Sequence, residues 1–501
     1  MHTNQNPIIV GLDIGTTKIV AIAAQKNEFG KMEVIGFGKA ESNGVNHGVV
    51  QNLEKCIRSI EKALENLKIS NVNLEVHNVY VGIAGQHIKS IPSRGDLTRE
   101  DAENIITKEE IQKLINDRSK EPIPAGDQII DIIPTDFTVD GTAGLKLSDV
   151  IGMNGTKIGA NFHIITGDRN AIRNIERCIK EAGLNAKDII LQPLASAAAV
   201  LSDEDLEAGV AIVDIGGGTT DMAVFVDGIL RHTAVIPFAG TNITNDIRTG
   251  LGVLKSQAEQ LKVKFGSAIA QEANSNEFIS IPGIKGLPTR ELSSKNLSGI
   301  IQARMEEILE YVVYHLKQQD LEKRLNGGII ITGGGSSLKN LKQLTEFKTA
   351  LNTRVGLPIE HLTSNFDEAL ANPMYSTCIG LILKGFLDLE GQTEDVNAKN
   401  TMEACLAAEH DEETQKDEIK KEAGTVSSSK VTNESKSDDM FMDFEDEFND
   451  EESDSKEDKP KGDTPIKIGI IKIRKSVSSV YDTFKKSLKD LFSEKEDNNL
   501  N

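Results

Sequence analysis

Cysteine is scarce in this 501-residue chain: Cys56, Cys178, Cys378 and Cys405 stand far apart, with no Cys-x-x-Cys pair among them. That excludes a disulfide framework and a cysteine zinc site, and it suits a reducing cytoplasm. Uninterrupted apolar runs of about eighteen residues are absent, so no segment is expected to span a membrane. Met1 to Pro7 are polar and lead straight into a strand pattern, so no signal peptide is expected. Positive charge is in deficit too: the formal net charge is −21, and nucleic acid is not an expected partner.

The negative charge is concentrated. Residues 390–463 hold 25 acidic and 9 basic side chains, whereas the last 38 residues carry a balance of +3. The acidic stretch cannot bury enough apolar surface to offset the entropy of ordering it, which predicts a disordered linker spanning on the order of 50 Å. Met440, Phe441, Met442, Phe444 and Phe448 interrupt it, either as a short partner-binding motif or as apolar residues kept soluble by neighbouring carboxylates. Thr464-Pro465 then offers an N-cap and a proline at the first helical position. Ile466, Ile470, Ile473, Val477, Val480, Tyr481, Phe484, Leu488, Leu491 and Phe492 follow in steps of three and four, one apolar stripe. Lys472, Arg474, Lys475, Lys485, Lys486 and Lys489 lie at or beyond its edges. The pattern predicts a basic amphipathic helix over 465–493 lying in an anionic membrane surface, where each lysine contributes roughly 1 kcal/mol. A groove on a partner protein is the competing destination.

The preceding body alternates strand and helix patterns and reads as a multidomain α/β protein. Two segments in it echo each other: Gly11 to Lys18, with Asp13, Gly15, Thr16, Thr17 and Lys18, and Val213 to Asp221, with Asp214, Gly216, Gly217, Gly218, Thr219 and Thr220. Each is an apolar strand that reaches Asp, then Gly and hydroxyls, then a second apolar run, which predicts a hairpin with a small-residue turn. Glycine lets backbone N–H groups approach phosphate oxygens, the threonines add donors, and Asp13 and Asp214 can hold a hydrated Mg²⁺. One such loop is as well explained by an ordinary turn; two, opening successive halves, point to a nucleotide held between related lobes. Gly333, Gly334, Gly335 and Ser336 end a β-branched strand and offer a flat floor for a base, with a helix expected from Ser337 to Phe347.

This order of loops, with small-residue connectors at Gln192 to Val200 and Pro373 to Leu381, resembles the superfamily of actin, DnaK-type chaperones and sugar kinases. Within it the chain resembles the FtsA family of bacterial division proteins. The residues that carry the likeness include Ala84 to Ser90, Ile133 to Phe137, Gly152 to Gly155, Leu191 to Ser196, Gly240-Thr241 and Ala258 to Lys262, within roughly residues 5–388. The resemblance implies a two-lobed, ribonuclease-H-like ATPase fold. Subdomain 1A would comprise 5–85, 166–197 and 360–389, and subdomain 1C 86–165, where 128–133 and 135–139 read as two strands. Subdomain 2A would comprise 198–227 and 311–359, and subdomain 2B 228–310.

It further implies ATP with Mg²⁺ as ligands, Glu259 and Lys262 against ribose and base, and Gln192 as the orienter of a hydrolytic water with at most slow turnover. Polymerisation, FtsZ bound at subdomain 2B with Arg304, read as an arginine at a helix start, as a candidate contact for an acidic peptide, other divisome partners, and a peripheral place on the cytoplasmic face at the septum complete the expectation. A small-molecule kinase of the same superfamily and a pilus-assembly homologue are the alternatives.

Overall fold

The structure is a computed structural model, and it describes residues 7–72, 74–100, 102–274, 276–283, 288–364 and 366–391. The expected amphipathic helix and the linker beyond Gly391 lie outside the described residues; residues 376–391 are helical, so Glu390 and Gly391, expected in the linker, belong to a helix.

Two five-stranded sheets share one plan. The first runs β9 (Asn185–Leu191), β4 (Asn78–Ile83), β1 (Ile9–Ile14), β2 (Lys18–Lys26), β3 (Met32–Glu41). The second runs β12 (Ile229–Ile236), β11 (Thr220–Val226), β10 (Val210–Ile215), β13 (Gly328–Thr332), β14 (Thr353–Val355). In each, the strand carrying the loop aspartate forms an antiparallel hairpin on one side and a parallel pair on the other. The sequence echo is therefore a structural repeat. Every residue of β1 and of β10 is buried, as near-continuous apolar strands covered on both faces should be.

A central core joins the sheets. It draws Val20 and Ile22 from one, Val210, Ile212 and Ile330 from the other, and Ala195, Ala199, Ile379 and Ile382 from the two connectors. The connectors are α4 (Gln192–Val200) and the helix over 376–391, and small residues let them cross closely. A Cβ on Gly380 would stand 1.7 Å from the Ala195 carbonyl oxygen, so backbone meets backbone there.

A third sheet, β5 (Lys89–Thr98), β8 (Lys157–Asp168), β6 (Asp127–Val139), β7 (Thr142–Leu145), is inserted between β4 and β9. Its helix α2 (Lys108–Arg118) starts at a capping box made by Thr107 and Glu110. The runs 128–133 and 135–139, expected as two strands, form the single strand β6. Pro134 breaks the sequence pattern but not the strand, because the pairing shifts register between Ala160 and Phe162 and the prolyl ring sits at that irregularity. The insert also reaches the second lobe: Arg231 Nη1 of β12 donates to Asp136 Oδ1 of β6 at 3.1 Å, and Asn161 Nδ2 donates to the other carboxylate oxygen at 2.9 Å.

Two helical expectations shift. The helix after the glycine floor is α8 (Leu341–Thr349), not one from Ser337, because a 3₁₀ turn over Gly334–Ser337 and a left-handed Asn340 (φ 62°) come first. Arg304 lies well inside the 25-residue helix α7 (Ser294–Gln318), not at a helix start.

Candidate functional site

The two hairpin turns close with the same bond: Gly15 N–H donates to Lys18 O, and Gly216 N–H to Thr219 O, each at 3.0 Å. Their tips abut. A Cβ on Gly217 would stand 2.5 Å from Thr17 Cγ2, and one on Gly218 would stand 2.3 Å from Thr16 Oγ1. Glycine is required here by the neighbouring lobe, since only the missing side chains let the turns meet.

Each strand-end aspartate is tied to a connector. Gln192 Nε2 donates to Asp13 Oδ1 at 3.0 Å, and Lys18 Nζ stands 3.7 Å from Asp13 Oδ2. Ser196 Oγ and Thr377 Oγ1, one from each connector helix, donate to Asp214 Oδ2 at 2.6 and 3.2 Å. Burial raises the pKa of Asp13, against the opposing effect of Lys18. Burial likewise raises Asp214, against Ser196 and Lys18. Asp221 is pushed up to about 8 by burial and by the charge of Asp214, and its Oδ1 is buried with no hydrogen-bond partner. Asp13 and Asp214 are buried at the two strand ends, where a hydrated cation would offset their charge.

The Asp221 shift has a measurable sign. Its native pKa lies above the unfolded value, so between about pH 4 and 8 the native state holds a proton that the unfolded state releases, and stability falls as pH rises through that window. Asp221→Asn should therefore raise the nucleotide-free melting temperature at pH 8 and change it little at pH 4.5; equal effects at both pH values would contradict the assignment.

A cavity of about 750 Å³ opens at the loops. Thr17, Lys18, Gly216 and Gly217 line one part, Gly334 and Gly335 another, and Glu259 and Lys262 the wall. The last two, on α6 (Lys255–Phe265), are not a free surface pair. Lys262 Nζ meets Glu259 Oε2 at 2.8 Å and also donates to Gly240 O and Thr244 Oγ1, each at 3.0 Å, which pins α6 to the start of α5 (Gly240–Leu251). That start in turn rests on the second loop, with Thr241 N–H donating to Gly217 O at 2.7 Å.

Other expected donors point elsewhere. Thr219 Oγ1 donates to Asp221 Oδ2 at 2.9 Å, and Thr220 Oγ1 to Phe238 O at 2.8 Å. Thr16 Oγ1 accepts from Gly48 N–H at 3.3 Å. Of the four threonines, Thr17 is the one that lines the cavity. Gly333, at φ 78°, packs against Asp214 Oδ1 and lies behind the floor. Ser336 Oγ turns back to Gly333 O at 2.7 Å, while Ser337 lines the cavity. Arg304 is engaged already: Asp246 takes it at 2.6 and 3.1 Å, Glu307 pairs with it, and Phe238 lies under its guanidinium at 5.6 Å.

Two residues were missed in the sequence. His47 Nδ1 donates to Gly218 O at 2.8 Å, strapping the first lobe to the second loop. Its only sequence signal is the flanking pair Gly44 and Gly48, both at positive φ. Lys39 of β3 lines the cavity with no motif around it.

The architecture is that of the actin-like proteins: two lobes of one plan, a hairpin turn from each, and crossing connector helices beneath. Among solved structures, the PilM-PilN type IV pilus biogenesis complex matches with a TM-score of 0.55 at 16% identity, over 75% of this chain and 98% of the other. Residues 211–380 match the family described as cell division protein FtsA, and residues 85–166 match the SHS2 domain inserted in that protein. Cell division protein FtsA of Pseudomonas aeruginosa is 36% identical over 378 residues, 75% of this chain and 89% of its own length. The Escherichia coli K12 protein is 31% identical over 385 residues, 75% and 90% of the two lengths. The chain belongs to the FtsA family of cell division proteins.

Proposed function

We propose that this chain is an ATP-binding division protein that polymerises and ties the FtsZ ring to the cytoplasmic face of the cell membrane at the septum, helping to assemble the divisome. The observation that carries the reading is the abutment of two equivalent hairpin turns at one cavity, each backed by an aspartate bonded to a connector helix. Phosphates would lie against Thr17, Lys18 and the amides of Gly216 and Gly217, ribose and base against Glu259, Lys262 and the Gly334-Gly335 floor. Among the described residues no group of three or more His, Cys, Asp or Glu side chains is placed to hold a metal unaided. Mg²⁺ would then sit on phosphate oxygens, with Asp13 and Asp214 reached through water, and would neutralise the phosphate chain.

Because the aspartates are bonded to the connectors, occupancy of the site bears directly on the angle between the lobes. That favours a conformational clamp over rapid hydrolysis. Gln192 is held by Asp13 at the site's edge, where its amide would orient a water at a slow rate. No helix among the described residues is long and apolar enough to cross a membrane. Attachment is assigned instead to the stripe Ile470, Ile473, Val477, Val480, Tyr481, Phe484, Leu488, Leu491 and Phe492 with Lys485 and Lys489. FtsZ would dock on the second lobe. Arg304 serves there only if an acidic peptide displaces Asp246.

Titration calorimetry of the full chain tests the nucleotide reading: ATP should bind in the presence of Mg²⁺ and more weakly in EDTA. Phosphoryl transfer to sugars by the purified protein would favour the kinase alternative and overturn this one.

A further inference from the structure

Five lysines line the cavity, and among the described residues Lys39, Lys264 and Lys339 form no ion pair; of these three, Lys39 stands on the strand paired with the Lys18 strand. Lys39 of β3 stands opposite Val20 of β2, and Lys18 stands opposite Glu41, so all four residues share the face turned toward the second lobe. Lys18 has Asp13, and Lys262 has Glu259. Lys39 has only soft contacts: its Nζ lies 3.6 Å from Met374 Sδ and 5.7 Å from the centre of the Tyr375 ring. Among the described residues it forms no ion pair, with Glu41 or any other carboxylate. Partial burial and the charge of Lys18 together hold its pKa below the ordinary lysine value.

Two ammonium groups on one face of one cavity repel each other unless an anion lies between or beside them. The hairpin tips and Lys18 already account for phosphate oxygens near the turns. A second lysine on the neighbouring strand, aimed into the same space, adds one positive charge. A nucleoside triphosphate carries one more negative charge than the diphosphate, so a second cation beside Lys18, on the same sheet face, matches the terminal phosphate.

We propose that Lys39 is a second phosphate-binding lysine, which holds the terminal phosphate of the bound nucleotide and sets the preference for triphosphate over diphosphate. The assignment rests on the nucleotide reading of this cavity. Met374 and Tyr375 offer the ammonium only a thioether and a ring face, weak partners that a phosphate oxygen would readily replace.

The test is titration calorimetry of the full chain with Mg·ATP and Mg·ADP, for the wild type, Lys39→Met and Lys39→Arg, with nucleotide-free melting temperatures alongside. Lys39→Met should weaken ATP about tenfold, as expected for loss of one charge-assisted hydrogen bond. ADP should weaken by no more than about twofold, and Lys39→Arg should keep ATP within about threefold of wild type. Unchanged ATP affinity in Lys39→Met, equal losses for both nucleotides, or a lowered melting temperature with unchanged affinities would each overturn the assignment. If the wild type binds neither nucleotide, the nucleotide reading itself fails; if it binds ATP and Lys39→Met binds equally well, only the role of Lys39 fails.

Discussion

Gly217→Ala is expected to weaken ATP binding by about 100-fold or more, equivalent to at least about 2.8 kcal/mol. The backbone at Gly217 does not itself forbid a side chain, because its φ lies outside the left-handed region. The obstacle is the opposite lobe. An added methyl would stand 2.5 Å from Thr17 Cγ2 and 2.8 Å from Thr17 Oγ1, so either the turns part or Thr17 swings away from the cavity. Overpacking of this kind costs roughly 1–3 kcal/mol, and the displaced amide and hydroxyl are the groups assigned to phosphate. Thr17→Ala removes both clashing atoms, leaving a 3.1 Å contact to Cβ. Thr17→Ala alone should cost about tenfold, and the double variant should be little worse than that single. Independent, additive losses would show that the turns do not meet as described.

How far the sequence could be read depends on the range of the forces involved. The hairpins were legible because strand, aspartate and glycine turn are local, and the same local solution occurs twice. The close connector crossing was legible from Ala195, Ala197 and Gly380, where composition alone says that backbones approach. The directions of the Thr219 and Thr220 hydroxyls were not, because Asp221 and Phe238 capture them through the folded sheet. Lys39 and His47 reach the site from strand and turn positions that become neighbours of the second lobe only after folding. Glu259 and Lys262 lacked any local signal, and it was the family likeness that singled them out. Arg304 looked like a free arginine at a helix start because Asp246, its captor, lies on a different helix.

Ending the chain at Pro460 is expected to abolish binding to vesicles that contain anionic lipid while leaving ATP affinity unchanged. The removed segment carries the apolar stripe and its flanking lysines, and the residues assigned above to the nucleotide all precede it in the sequence. Burial of an apolar side chain contributes about 1.5–3 kcal/mol, so several of the ten stripe residues inserted together make detachment nearly complete on their loss. Phe484→Glu should reproduce much of the effect, since it sets a carboxylate among the acyl chains. Raising salt should weaken the intact protein's attachment, because the lysine contribution is screened. Attachment that survived the truncation would move the anchor to the body and leave the stripe without a role.

Joining a polymer to a membrane under nucleotide control is the central role proposed for this chain. Its most direct test is co-sedimentation of FtsZ with anionic vesicles, using the full chain and the chain ended at Pro460, each with Mg·ATP and without nucleotide. FtsZ should pellet with vesicles only when the full chain is present, and more of it when ATP is bound. FtsZ recovery that is the same with the truncated chain, or that is absent with the full chain and ATP, would contradict the account.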